Sequence, residues 1–310
     1  VKASKFREDL LKKADNLEQL SQSKWDWPDL QGKRVFFVGM GSSYFLAQWA
    51  SRRLQMAGIN AFALLGSSRD VPALSDSDVV IAVSATGGSV ETVSFVERID
   101  RPVVFLTNNP TPPIHPRHHI VGMNSLAETG GVASLTYQAT IVSLLELEGR
   151  LTGGTLSKDT LEKAADATAW IIDSFTEWRE DIREQAISGD GVQFVAPLER
   201  LCSAQQSALM MRECPRLRAE ASEAGDWSHI DVYLTKNHDL RLVMFGGSPW
   251  QDQALDWTTE RGRRVVLIGD RSDRVDVSLE FPHQADETVS LLVETTFSEL
   301  VAAELWREQT

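Results

Sequence analysis

The 310 residues hold 31 lysines and arginines against 44 aspartates and glutamates, a net charge of −13. So acidic a chain lacks the broad basic face that nucleic acid or an anionic membrane surface requires, although one local site can still hold a small anion. Hydrophobic residues make up 42%, enough for real cores, and at about 150 residues per domain the length predicts two domains.

Phe6, Leu10, Ala14, Leu17 and Leu20 recur at helical spacing and predict an amphipathic helix over residues 4–22. The apolar run Arg34–Val38 predicts a strand that stops at Gly39-Met40-Gly41-Ser42-Ser43, with a helix after it to Gly58. Ala61–Leu65 and Asp78–Val83 predict two more strands. The second of these runs into Ser84-Ala85-Thr86-Gly87-Gly88-Ser89 and then a helix from Val90 to about Arg98. Further strands are predicted over Pro102–Leu106 and His119–Gly122, on either side of the Pro-rich stretch Asn108–Pro116, and a helix over Gly131–Arg150. Short apolar strands alternating with helices mean βαβ units and a parallel sheet covered on both faces.

Leu151-Thr152-Gly153-Gly154-Thr155 marks the clearest break, which predicts domains at 1–154 and 155–310. A long helix is predicted over Lys158–Ala186, on which Trp170 and Trp178, eight residues apart, share one buried face. The alternation then restarts: strands over Val192–Ala196, Arg241–Phe245, Arg264–Ile268 and Val275–Leu279, with helices to about Glu213, around Gln251–Arg261 and over Glu287–Glu308. The two halves read as two copies of one α/β unit, each with five parallel strands.

In open parallel sheets ligands bind beyond the carboxyl ends of the strands. Gly41-Ser42-Ser43 and Ser84–Ser89 have that address, and each leads into a helix. Free backbone N–H groups, a positive helix end and hydroxyl donors suit a phosphate without any Lys or Arg. Either loop alone reads better as an ordinary capped turn; two on neighbouring strand ends shift the balance toward a phosphate site. Neither is a P-loop, since no Gly-Lys-Ser/Thr follows, and Gly39-Met40-Gly41 lacks the third glycine of the dinucleotide fingerprint. His115, His118 and His119 stand among prolines without metal-ligand spacing and are expected in an exposed loop. Cys202 and Cys214 are expected as buried thiols of a reducing, cytoplasmic protein.

Gly41-Ser42-Ser43-Tyr44, the Ser84–Ser89 loop and Gly131-Val132-Ala133-Ser134 resemble, in order, the three phosphosugar-binding signatures of the SIS (sugar isomerase) domain. Met211-Arg212-Glu213, Ala219-Glu220-Ala221 and Gly225-Asp226-Trp227-Ser228-His229 are similar to the series found in the isomerase half of glucosamine-6-phosphate synthases. The resemblance implies two doubly wound, flavodoxin-like α/β/α SIS domains in pseudo-two-fold tandem. It implies a sugar phosphate held by Ser42, Ser43, Ser84, Thr86 and Ser89, with Val132 and Ser134 lining the sugar. Glu213 would be the base that moves a proton between C1 and C2, and His229 the ring-opening group, reaching into a neighbouring subunit of a homodimer. It implies no metal, no organic cofactor, no nucleic-acid or membrane partner and, without a glutaminase segment in these residues, no use of glutamine. The activity it implies is that of a phosphosugar isomerase or an amino-sugar-phosphate deaminase or deglycase. The sequence departs from the family at His229-Ile230-Asp231, at Glu128 (one place early before the Gly-Val-Ala-Ser signature), at Thr136 and in the missing C-terminal lysine tail. The competing class is a phosphosugar sensor without turnover, which has no need of a carboxylate such as Glu213.

Overall fold

The computed structural model describes residues 2–187 and 189–309. In its first half the chain forms α1 (Lys2–Leu10), α2 (Lys13–Ser21), β1 (Arg34–Gly39), α3 (Ser42–Met56), β2 (Ala61–Leu65), β3 (Asp78–Val83), α4 (Val90–Glu97), β4 (Val104–Thr107), β5 (His119–Gly122) and α5 (Leu135–Thr152). The second half follows with α6 (Lys158–Asp173), α7 (Phe175–Ile187), β6 (Gly191–Ala196), α8 (Leu201–Glu213), β7 (Ala219–Glu223), α9 (Ala224–Trp227), β8 (Leu240–Phe245), α10 (Gln251–Glu260), β9 (Val265–Ile268), β10 (Val277–Leu279), α11 (Glu287–Val293) and α12 (Thr295–Glu308).

The strands build two five-stranded sheets, ordered β2-β1-β3-β4-β5 and β10-β9-β8-β6-β7. All pairs are parallel: Val35 stands opposite Ala61 and Val79, and Val192 opposite Ala219 and Arg241. Read from the first strand of each half, both orders are 2-1-3-4-5. This is the doubly wound α/β/α arrangement expected from the alternation of strands and helices. Central strands β1, β3 and β8 are buried almost end to end, because helices cover both faces. Phe36, Val38, Val80, Phe95 and Phe105 form one core; Val195, Trp227, Leu242, Met244 and Leu267 form another.

The chain divides into two compact units. One comprises Asn16–Glu128 and Ala133–Lys158, and the other Val1–Asp15, Thr129–Val132 and Asp159–Thr310. Helix α1 belongs with the C-terminal half, where the Phe6 ring lies 6.2 Å from that of Trp306.

Several elements differ from expectation. The N-terminal helix is two helices, interrupted at Leu11 and Lys12. The predicted helix over Lys158–Ala186 breaks at Ser174, whose N–H and hydroxyl both donate to the Trp170 carbonyl, at 3.0 and 2.7 Å. That break separates the two tryptophans: Trp178 is buried, whereas Trp170 is exposed. The final helix is interrupted at Glu294, which pairs with Arg200. His118 is buried rather than looped out, its Nδ1 accepting from the Val103 N–H at 3.2 Å, and burial lowers its pKa. Cys202 and Cys214 are both buried free thiols.

Candidate active site

In each sheet the strand order reverses between its first and third strands, and a crevice opens there at their carboxyl ends. In the first sheet the flanking loops are those after β1 and β3. Gly39 lets β1 turn directly into α3; a Cβ there would meet the Ser43 carbonyl carbon at 2.8 Å. Gly41, at φ +52°, caps α3 without any side chain. Ser89 caps α4, again with no side-chain hydrogen bond to the backbone of the helix. Two helices thus present their first turns uncapped at the same crevice, the arrangement that favours an anion.

The hydroxyls around it are in different states. Those of Ser43 and Ser84 bond to no protein group among the described residues. Thr86 Oγ1 accepts from the Gly88 N–H at 3.2 Å and keeps its own proton for donation. Ser89 donates to Glu91 at 3.2 Å, and Ser42 lies half-buried in the first turn of α3. Gly87, at φ +65°, packs under Pro112, leaving no room for a Cβ.

The third signature is built differently. Ser134 caps α5 and is fully buried. The Glu128 carboxylate fills that helix end, accepting from the Ser134 and Thr136 N–H groups at 2.5 and 3.2 Å and from the Thr136 hydroxyl at 2.6 Å. Burial raises the Glu128 pKa, against the pull of these donors. Helix α5 therefore carries its own internal anion, and the Ser134 hydroxyl also points to Glu128, at 3.3 Å. Val132 is buried and belongs to the other compact unit. Glu128 is a site residue that the family pattern marked only as a departure. The hydroxyls six and eight places downstream, Ser134 and Thr136, were the signal that it caps a helix.

In the second sheet the corresponding place holds a buried ion pair. The buried Arg200 guanidinium holds Glu294 at 3.1 Å and also donates to the Gly246 carbonyl.

Glu213 ends α8. The next residues turn back sharply, with Leu217 N–H on the Met211 carbonyl at 2.9 Å and Arg216 at φ +57°. The residue is exposed, yet enough protein surrounds its carboxyl to desolvate it and raise its pKa. His229 follows β7 and α9. Glu223 caps α9 by accepting from the Asp226 N–H at 2.9 Å, and the fully buried Trp227 donates to Gln193 of β6 at 2.8 Å. These contacts fix the segment and leave His229 exposed. Asp231, in the family's proline position, accepts from the Ser222 hydroxyl.

Strands β6 and β7 are parallel and α8 returns between them, so Glu213 stands at the amino end of the sheet. His229 stands beyond its carboxyl end. Five strand residues at about 3.3 Å each put roughly 17 Å between those ends.

Residues 30–147 match the family model of the SIS domain. The chain is 22% identical over 260 residues to a glutamine–fructose-6-phosphate aminotransferase (isomerizing) of Sulfurisphaera tokodaii. That match covers 82% of this chain and 44% of the relative, so the chain spans about half the relative's length. The C-terminal domain of glucosamine-fructose-6-phosphate aminotransferase from Francisella tularensis superposes with a TM-score of 0.78 at 14% identity, covering 98% of this chain and 96% of that one. Tagatose-6-phosphate ketose/aldose isomerase from Escherichia coli superposes at 0.71 and 17% identity, covering 99% and 91%. The chain shares its two-sheet architecture with these structures, and the SIS-domain match falls on the residues that build the first sheet.

Proposed function

We propose that the protein isomerises or deaminates a phosphorylated hexose or hexosamine, moving a proton between C1 and C2. The observation that carries this reading is the pair of uncapped helix ends at one crevice, with the Ser43 and Ser84 hydroxyls unbonded beside them. Such a site recognises a phosphate by neutral donors. Ser42, Thr86 and Ser89 complete the phosphate set, whereas Ser134, buried against Glu128, supports the end of α5.

Glu213 is the base in this reading. Its raised pKa keeps a carboxylate basic enough to take the proton from one carbon and return it to the next through an enediol or enolamine. His229 moves the proton between the ring oxygen and the anomeric hydroxyl. The two residues stand at opposite ends of one sheet, so a site that uses both draws them from two copies of the chain. Isomerisation balances without a cofactor or metal; deamination adds water and releases ammonia.

The test is deuterium incorporation. Incubated in D2O with fructose 6-phosphate or glucosamine 6-phosphate, the protein is expected to place deuterium at C1 or C2, read by NMR. Binding of both sugars without any exchange would leave a sensor and remove the enzymatic reading.

A further inference from the structure

The carboxyl ends of β3, β4 and β5 are joined through two asparagine side chains within one compact unit. After β4, Thr107 Oγ1 and the Asn108 N–H both donate to the Ala85 carbonyl, at 3.1 and 3.0 Å, and Asn109 Nδ2 donates to the Thr86 carbonyl at 3.0 Å. The Asn108 amide then pairs with the backbone of Ser125 in both senses. It accepts from the Ser125 N–H at 3.0 Å and donates to its carbonyl at 3.2 Å, adding one rung beyond the β4–β5 ladder. Asn16, fully buried, continues the connection. Its Oδ1 accepts from the Ser125 hydroxyl at 3.1 Å and the Leu126 N–H at 2.8 Å. Its Nδ2 donates to the Leu135 carbonyl and to Gln138, both at 3.2 Å.

We propose that Asn108 and Asn16 are positioning residues: their amides fasten the segment from Ser125 to the first turn of α5 onto the end of β4, where Thr107, the Asn108 N–H and Asn109 already hold the 84–89 loop, so that the two loops are coupled. Neither amide is part of the proposed ligand-binding set. Each acts through backbone groups that would otherwise be left unpaired in a partly buried loop. The clip holds the Ser84 and Thr86 donors and the Glu128-capped end of α5 as one rigid wall before ligand arrives, so binding does not have to order them. The consequence for the phosphosugar rests on the function proposed above; the mechanical coupling of the loops does not.

Two readouts keep these apart. In hydrogen-exchange mass spectrometry, Asn108→Ala is expected to speed exchange in both 84–89 and 123–128 while β1 and β3 stay protected. Acceleration confined to one loop, or spread equally into the strands, would overturn the clip. Asn16→Ala, at a fully buried site, serves as the second variant if it folds, and is expected to loosen 123–128 and the start of α5. For fructose 6-phosphate, Asn108→Ala is expected to raise KM about tenfold with kcat nearly unchanged, the scale of one lost hydrogen-bonded contact. Wild-type KM in a variant whose loops exchange faster would overturn the positioning role. A wild-type protein that turns over no hexose phosphate would instead refute the proposed function, and the exchange data would still decide the clip.

Discussion

Glu213 carries the chemistry of the proposal, and its titration has a defined sign. A carboxyl whose pKa is raised by folding favours the protonated, folded state, so its contribution to stability is fully present below the unfolded pKa of about 4.3. That contribution is lost as the pH rises through the folded pKa. Glu213→Gln is therefore expected to gain stability over wild type as the pH is raised from 4 to 7, with no gain at pH 4, as measured by thermal melts. It is also expected to abolish deuterium exchange while retaining sugar-phosphate binding. In the wild type, the acid limb of the rate profile should lie above the ordinary carboxylate range, because Glu213 must be ionised to act. Trp227 bears on the other residue. Trp227→Ala removes a fully buried ring and its bond to Gln193, at an expected cost of about 3–5 kcal/mol in denaturant melts. Trp227→Phe, which keeps most of the packing, should cost much less.

At the scale of elements, three helix ends that look alike in sequence differ in state. Those of α3 and α4 have no side-chain cap, whereas α5 is capped by Glu128. Glu128→Ala is expected to destabilise the protein by about 1–2 kcal/mol, since it leaves the Ser134 and Thr136 N–H groups unpaired. The central strands were legible as apolar runs, because a strand covered on both faces must be apolar throughout. Strand β7 was not. It is the edge strand Ala219–Glu223, half-buried and largely polar, so it leaves no apolar run to read. The helix break at Ser174 lies inside a continuous helical periodicity and left no mark in the pattern. The burial of His118 was hidden for a similar reason. It goes with an acceptor role toward Val103 N–H and a ring contact with Phe105, both formed across more than ten residues of chain. Of the site, the serine and glycine loops could be read from their place after strands. Which hydroxyls are free and which are committed could not.

At the scale of the whole molecule, one strand order occurs twice but the two crevices have diverged. The first is lined by hydroxyls and uncapped helices; the second is filled by Arg200 and Glu294. One ligand per chain is the expected stoichiometry. The separation of Glu213 and His229 along one sheet makes a further prediction. Glu213→Gln and His229→Ala, each inactive alone, should recover part of the wild-type rate when mixed and allowed to exchange subunits, because some sites then draw one intact residue from each chain. No recovery after proven exchange would place both residues in the service of one chain or remove one of them from the site.

The central claim is that a sugar phosphate sits at the β1 and β3 loops, held by neutral donors. Calorimetric titration with fructose 6-phosphate and with fructose tests it most directly, on the wild type and on Ser43→Ala/Ser84→Ala. The wild type should bind the phosphorylated sugar and not fructose. The double variant should lose about a hundredfold in affinity, the scale of two hydrogen bonds to a charged group. Equal affinity in the two proteins, or equal affinity for the two sugars, would contradict the account.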